Sequence, residues 1–204
     1  MHSKMSKVPV EFYVREDVVQ ISQDLLGKVL CTHIDGQVTK AIIIETEAYA
    51  GTTDKASHAH GGRRTKRTEP LYAQGGTAYV YLCYGIHHLF NVVTNEIDTP
   101  HAILIRAGEP LEGSELMRKR RKKQIIDKSL LAGPGTLAQA LGITTGLTGT
   151  SLLEDRIWIE DQQNIINPKS VIAGPRVGID YAEEDAQLPY RFRVKIGELS
   201  AVSP

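Results

Sequence analysis

One segment decides the fold: Ala41-Ile42-Ile43-Ile44-Glu45-Thr46-Glu47-Ala48-Tyr49. Its run of β-branched residues is typical of a buried β-strand. Glu45 and Glu47 lie two positions apart, so a continuing strand would present both side chains on one face. A carboxylate held at the end of a rigid strand is well placed to act as a general base. The alternative is a pair of solvated acids where the strand meets water.

The composition indicates one globular domain. With 204 residues and 41% apolar content, the chain can bury a substantial core. Its formal net charge is zero, but basic residues outnumber acidic ones between Gly61 and Lys128, so a local basic face is possible. Cys31 and Cys83 lie in apolar runs, which favours buried free thiols. We expect a soluble, cytoplasmic protein, because neither an apolar leader nor a stretch of membrane-spanning length is present.

Hydrophobic periodicity and turn residues predict an α+β class with antiparallel pairing. The predicted strands are 28–34, 37–47, two strands within 77–94 that turn at Tyr84-Gly85, 101–107, 157–159 and 191–196. The predicted helices are 11–27, 109–128, and one that starts after Gly133-Pro134-Gly135, runs through Leu141 and ends at Gly142. Residues 51–76 form a long polar stretch, and loops of that length are usually functional or disordered.

Four of the eight tyrosines fall within thirteen residues: Tyr72, Tyr79, Tyr81 and Tyr84. A buried tyrosine is ordinarily a core residue whose hydroxyl group has a hydrogen-bond partner. Tyr84 is harder to explain in that way, because it falls at the predicted tip of an apolar hairpin. Near basic residues, an exposed tyrosine can stack on nucleic-acid bases or insert between them.

Two histidine pairs and one basic run each allow more than one interpretation. His58 with His60, and His87 with His88, are spaced like metal ligands, but no cysteine or carboxylate stands at a familiar spacing from them. Hydrogen-bonding loop histidines are therefore the simpler interpretation, and a metal-dependent hydrolase is an alternative. The basic run 118–123 is either a solvated helix face or a phosphate contact.

Several motifs, taken in order, together resemble one known family. They are Glu45-Thr46-Glu47-Ala48-Tyr49, His58, Gly61-Gly62-Arg63, the run from Gly76 to Gly85, Asn91, the run from Leu104 to Gly113, Ala132-Gly133-Pro134 to Leu141, and Arg176-Val177-Gly178. From about Phe12 to Val194, the chain resembles the alkyladenine (3-methyladenine, methylpurine) DNA glycosylase family. The resemblance implies a single mixed α+β domain over residues 1–204, with an antiparallel sheet and a protruding DNA-inserting β-hairpin. It also implies catalysis without a metal or an organic cofactor.

The resemblance assigns roles to individual residues. Glu47 matches the general base that activates water against the sugar C1′, and Arg106 matches the arginine beside that water. The residues that match the base pocket are Tyr49, His58, Tyr81 and Asn91. Tyr84 matches the tyrosine that fills the gap left in the duplex. We further expect contacts with the DNA backbone from Arg63, Arg64, Arg118 and Arg121.

Two features fall outside the resemblance. The segment His87-His88-Leu89-Phe90 departs from the aromatic-rich pattern of some relatives, which leaves the base preference open. Glu45 precedes the matched base and has no counterpart role, so it remains either a solvated or a supporting carboxylate.

The implied activity is that of a monofunctional DNA N-glycosylase in base excision repair. It would flip alkylated or deaminated purines out of duplex DNA and hydrolyse the N-glycosidic bond, leaving an abasic site. An alkylated purine is cationic, so tyrosine rings attract it and it leaves readily, and one carboxylate can then suffice. No lysine stands at a matched position for a Schiff base, so we expect no lyase activity.

The partner implied is double-stranded DNA containing damaged purines, with no membrane involved. We expect a bacterial-type monomer that associates with the nucleoid while it acts. A non-catalytic binder of damaged or structured nucleic acid is the alternative that the residues leave open.

Overall fold

The computed structural model describes residues 6–162, 165–195 and 199–200. The strands are β1 (Ser6–Lys7), β2 (Val29–Ile34), β3 (Gln37–Tyr49), β4 (Ala78–Cys83), β5 (His87–Thr94), β6 (His101–Glu112), β7 (Ile157–Asp161), β8 (Ile165–Ile166), β9 (Ile172–Gly174), β10 (Arg191–Arg193) and β11 (Leu199–Ser200). The α-helices are α1 (Val10–Tyr13), α2 (Val18–Asp24), α3 (Ser114–Arg120) and α4 (Pro134–Leu141). Short 3-10 helices lie at Gly51–Thr53, His60–Gly62, Glu69–Tyr72, Thr145–Leu147, Pro168–Ser170 and Asp180–Gln187.

The main sheet is organised around β3, the strand that contains the opening segment. Its strand order is β1-β7-β2-β3-β6-β5-β4, with β10 pairing to both β3 and β9. The pairings in this sheet are antiparallel, which confirms the predicted α+β class. The first half of β3 pairs with β2, whereas Glu45 to Glu47 pair with β10. The acidic end of β3 therefore has a neighbouring strand on both sides, β6 and β10.

The pairing of β3 with β6 is interrupted at the position of Arg106. Ala107 lies opposite Glu45, and Ile105 lies opposite Thr46, so Arg106 is an extra residue in β6. A bulge of this kind bends the strand and changes the direction of a side chain. It places Arg106 beside the acidic end of β3, where its guanidinium contacts both Glu45 and Glu47.

The largest core cluster lies against this sheet and includes Ile21, Ile43, Phe90, Ile103 and Leu137. Helix α4 contributes Leu137 and confirms that a helix is present here, although it begins at Pro134 and so includes two residues that the prediction placed before it. Gly142 follows its end with a φ of 73°. Packing of α4 on β5 and β6 brings its glycine-rich N-terminal end beside the strands that carry the candidate residues.

The predicted helices at 11–27 and 109–128 were too long. The first is divided into α1 and α2, and α2 begins where the Asp17 side chain accepts a hydrogen bond from the Gln20 amide, at 2.9 Å. In the second, Glu109 and Glu112 belong to β6, where they pair with Ile42 and Lys40. The order of acidic and then basic residues is typical of a helix. Pairing with the long strand β3 nevertheless keeps Glu109 and Glu112 in a strand.

Helix α3 begins only after Gly113, which has a φ of 77° and passes close to Val38 and Thr39. It ends at Arg120, so only half of the basic run 118–123 is helical. The predicted strand 191–196 is present as β10, and Ile196 lies outside the described residues. Among the described residues, none of the helices is long and apolar enough to cross a membrane.

Candidate active site

A cavity of about 570 Å³ opens between the end of β3, the β4–β5 hairpin and the segment that follows Arg176. Its wall includes six of the residues singled out in the sequence: Tyr49, His58, Tyr81, Tyr84, Asn91 and Arg106. Glu47 lies behind this wall and is fully buried. The structure therefore brings the predicted base and the predicted pocket residues together in one place.

Three donors surround the Glu47 carboxylate. The Val177 amide donates to Oε1 at 2.8 Å, and the Tyr49 hydroxyl donates to Oε2 at 2.9 Å. Arg106 Nη1 lies 3.3 Å from Oε1. Burial of a carboxylate is costly unless the charge is paired and hydrogen-bonded, and this environment meets both needs.

Glu45 holds the other side of the Arg106 guanidinium. Its Oε1 accepts from Arg106 Nε at 3.0 Å and from Arg191 Nε at 2.6 Å. The Glu45 side chain is only 15% exposed, so it is not the solvated acid that the sequence left possible. Arg106 thus bridges two carboxylates, with Nε directed to Glu45 and Nη1 to Glu47.

A buried ion pair fixes the segment that presents the Val177 amide. Arg176 contacts both carboxylate oxygens of Asp54, through Nη1 at 2.5 Å and Nη2 at 2.9 Å. Both side chains are essentially inaccessible to solvent. Arg176 also donates to the Ala48 carbonyl oxygen at 2.9 Å, and its guanidinium lies over the Tyr49 ring at 4.8 Å. The loop after Glu47 and the segment after Arg176 are thereby joined.

Tyr49 is held as a hydrogen-bond donor. Burial raises the pKa of its hydroxyl well above the usual value, and the nearby negative charge of Glu47 raises it further. The neutral phenol therefore persists at physiological pH and donates to Glu47.

Aromatic rings form one side of the cavity. The His58 and Tyr81 ring centroids lie 4.6 Å apart in an edge-on arrangement, and His58 Nδ1 is 3.0 Å from the Tyr79 hydroxyl. Burial, together with the positive charges of Arg67 and Arg63, lowers the pKa of His58 to about 4. His58 is accordingly neutral at pH 7.

Asn91 stands on β5 opposite Tyr79. It is buried, and its Nδ2 donates to the Tyr79 carbonyl oxygen at 3.2 Å. This backbone contact fixes the position of the side-chain amide within the cavity wall.

The tip of the β4–β5 hairpin projects Tyr84 into solvent. Tyr84 is 91% exposed, and both Tyr84 and Gly85 have positive φ angles, of 51° and 73°. Leu82 and Ile86 on either side are also exposed. A bulky residue with a positive φ is uncommon and carries a local energetic cost, so packing alone does not account for a tyrosine here.

The four arginines expected on the DNA backbone lie in different environments. Arg63 is exposed. Arg64 binds Glu69 and Asp98, Arg118 binds Glu115 and the Lys123 carbonyl oxygen, and Arg121 binds Gln139 and the Leu130 carbonyl oxygen. Three of the four arginines would therefore have to divide their donors between these existing partners and a phosphate group, or release the partners.

The histidine pairs do not assemble into a metal centre in the described part of the chain. No group of three His, Cys, Asp or Glu side chains there could hold an ion. His58 is bonded to Tyr79, and His88 Nδ1 accepts from the Thr145 amide at 3.2 Å.

Sequence reasoning assigned no site role to several residues that build this site. They are Arg67, whose guanidinium lies 5.4 Å from the centre of the Tyr81 ring, together with Asp54, Tyr79, Arg176, Val177, Tyr181 and Arg191. Arg176 and Val177 were visible only as part of a motif without a role. Arg191 carried no signal, because its contact with Glu45 spans 146 positions in the chain.

Comparison with known proteins agrees with the geometry. The sequence profile described as "Methylpurine-DNA glycosylase (MPG)" matches residues 11–197. A protein of Chlamydia abortus is 47% identical over 190 residues, which is 93% of this chain and 98% of the relative. One of Desulfitobacterium hafniense is 44% identical over 207 residues, which is 97% of this chain and all of the relative. Both carry the name "Putative 3-methyladenine DNA glycosylase". The chain therefore belongs to the methylpurine-DNA glycosylase family of DNA-repair enzymes.

Proposed function

We propose that this protein flips alkylated purines out of duplex DNA and hydrolyses their N-glycosidic bond, with Glu47 as the general base. One observation carries the proposal: a buried carboxylate, paired with Arg106, lies behind an aromatic cavity large enough for a purine. In this reaction Glu47 removes a proton from water as the oxygen attacks C1′, and its negative charge stabilises the oxocarbenium-like transition state. The purine leaves with the bonding electrons, and an abasic site remains.

The cavity favours a cationic purine. The hydroxyls of Tyr49 and Tyr81 remain protonated because burial raises the pKa of both, so their rings present electron-rich faces without a full negative charge. A cation over such a face gains about 0.5–2 kcal/mol. His58 is neutral, because burial lowers its pKa to about 4, and so does not repel a positive base. Deaminated purines lack this attraction, and we expect them to be released more slowly than 3-methyladenine or 7-methylguanine.

Catalysis requires a rearrangement at Glu47. Because the carboxylate is fully buried, a water molecule can reach it only if one of its three partners moves. Tyr49 and Arg106 both line the cavity, so a nucleotide bound there would contact the two side chains that enclose the base. Contacts of catalytic groups often change between the free and substrate-bound forms of an enzyme.

The hairpin tip provides the means of holding the duplex open. Flipping a nucleotide costs a few kcal/mol of lost stacking and pairing, and an aromatic ring in the vacated space offsets part of that cost. Tyr84, with Leu82 and Ile86 beside it, is the exposed apolar group beside the cavity. Arg63 is exposed and free to approach a phosphate group. Arg64, Arg118 and Arg121 are the further candidates for phosphate contact.

We infer a monofunctional reaction. A lyase step would need an amine to form a Schiff base with the sugar. Lysine is missing from the cavity wall among the residues that the structure describes. The strand break that follows a Schiff base is therefore not expected, and neither a metal ion nor an organic cofactor enters the proposed mechanism.

The decisive experiment is a base-release assay on duplex DNA containing one lesion. Glu47→Gln should abolish release of 3-methyladenine and 7-methylguanine, while binding to the same duplex is retained. Glu160→Gln is the matched control, since Glu160 is also a buried carboxylate but lies on β7, where it pairs with Lys40 of β3. Base release by Glu47→Gln at the wild-type rate would refute the assignment. Binding to damaged DNA without release by the wild type would indicate the non-catalytic binder instead.

A further inference from the structure

We propose that Glu45 is a positioning residue, which holds Arg106 in the orientation that leaves Glu47 able to act as the base. The inference rests on the proposed function of Glu47 and Arg106. Glu45 is not among the residues that line the cavity, and the Arg106 guanidinium group joins it to Glu47.

The contacts divide the donors of Arg106 between two acids. Its Nε is directed to Glu45 Oε1 at 3.0 Å, while Nη1 approaches Glu47 Oε1 only to 3.3 Å. Arg106 is therefore bound more closely to the acid that does no chemistry. A single-point contact with Glu47 leaves part of the guanidinium available to the substrate.

Removal of the Glu45 charge would alter this division. A guanidinium and a carboxylate prefer a two-point, parallel pairing, which is considerably stronger than one bond. Without Glu45, Arg106 can turn Nε and an Nη toward the two oxygens of Glu47. That pair would stabilise the carboxylate in its resting state and occupy the lone pairs that a water molecule needs.

Arg191 keeps Glu45 in place from the opposite side. Its Nε donates to the same Oε1 at 2.6 Å, and it stands on β10, directly opposite Glu47 in the strand pairing. Arg106 reaches Glu45 from β6, on the other edge of β3. The carboxylate is thus held between two strands, and its charge is balanced by two guanidinium groups at 13% and 24% exposure.

The test measures single-turnover base release and DNA affinity separately. Glu45→Gln should lower the single-turnover rate roughly tenfold to a hundredfold, as expected when a catalytic group is displaced by about 1 Å. Its dissociation constant for lesion-containing duplex should rise by a smaller factor than the rate falls. Glu45→Asp keeps the charge and should recover part of the rate. Glu160→Gln, which also removes a buried ion-paired carboxylate, should release base at the wild-type rate.

A double-mutant cycle tests whether Glu45 acts through Arg106. In an Arg106→Gln background, Glu45→Gln should cause no further loss of rate. Additive losses would overturn the inference, and so would a wild-type rate for Glu45→Gln or an equal loss in Glu160→Gln. If Glu45→Gln does not fold, Glu45→Asp and Arg191→Gln serve in its place, and wild-type rates in both would overturn the inference. Should the wild type itself release no base, the proposed function fails and not this inference alone.

Discussion

The buried pair of Arg176 and Asp54 should make a large contribution to the stability of the folded protein. Asp54→Asn removes the counter-charge but leaves the guanidinium in place, where it is inaccessible to solvent. Arg176 donates to both carboxylate oxygens, at 2.5 Å and 2.9 Å. In the variant one contact becomes a hydrogen bond to a neutral amide oxygen, and the other sets an amide donor against a guanidinium donor. The loss of one partner from a buried pair costs about 3–5 kcal/mol, because the remaining charge cannot be solvated.

For a chain of this length, such a loss lowers Tm by about 6–20 °C. Urea unfolding followed by circular dichroism gives the free energy of unfolding, and calorimetry gives Tm. Lys55→Met is the matched control, because Lys55 follows Asp54 in the chain and pairs with Glu184 at the protein surface. Its midpoint should shift far less than that of Asp54→Asn.

A second variant separates charge burial from packing. Asp54→Leu combined with Arg176→Met replaces both charges by apolar groups, which is often neutral for a buried pair. The combined variant should therefore be more stable than Asp54→Asn alone. A loss below about 1 kcal/mol for Asp54→Asn, which is the range of an exposed pair, would refute the reasoning.

Two further substitutions test the cavity and the hairpin. Tyr84→Asn should leave the free energy of unfolding unchanged or raise it by up to about 1 kcal/mol, because Asn tolerates a positive φ better than Tyr. The same variant should bind lesion-containing duplex more weakly, and unchanged binding would contradict the insertion role of Tyr84. Because burial lowers the pKa of His58 to about 4 from 6.5, the folded state resists its protonation, and the wild type should lose up to about 3 kcal/mol of stability as pH falls from 6.5 to 4. Stability measured against pH should decline less steeply in His58→Gln, and parallel curves for the two proteins would count against a neutral, buried His58.

Most strands could be predicted from the sequence because β-branched runs and turn residues are local features of the chain. The predicted strands 28–34 and 37–47 correspond to β2 and β3, which pair as a hairpin across Asp35-Gly36. The helix at 109–128 was predicted too long, because its signal was also local and only Ser114–Arg120 is helical. The charge order of Glu109 to Lys123 suits a helix, whereas extension of β6 depends on pairing with β3, about 70 residues away. In this segment, long-range pairing with β3 determines the structure, and the local preference for helix does not.

The different environments of Glu45 and Glu47 could not be predicted from the segment that contains them. Glu45 and Glu47 have the same charge, nearly the same local environment and the same strand, so no property of the segment distinguishes them. The distinction arises from what folds against each one. Glu45 meets the guanidinium of Arg191, and Glu47 meets the Val177 amide, contacts that span 146 and 130 positions in the chain.

Those different partners give the two carboxylates different chemistry. Glu45 faces two arginines through one oxygen and is suited to hold a charge in place. Glu47 faces a hydroxyl, an amide and a single guanidinium contact at 3.3 Å, so each of its oxygens has donors that are weaker than a two-point ion pair. A base must give up a resting partner before it can accept a proton from water. In our proposal Glu47 can do so because two of its partners, Tyr49 and Arg106, line the cavity in which the nucleotide would bind. Arg106 contacts both acids because the bulge in β6 sets it between them.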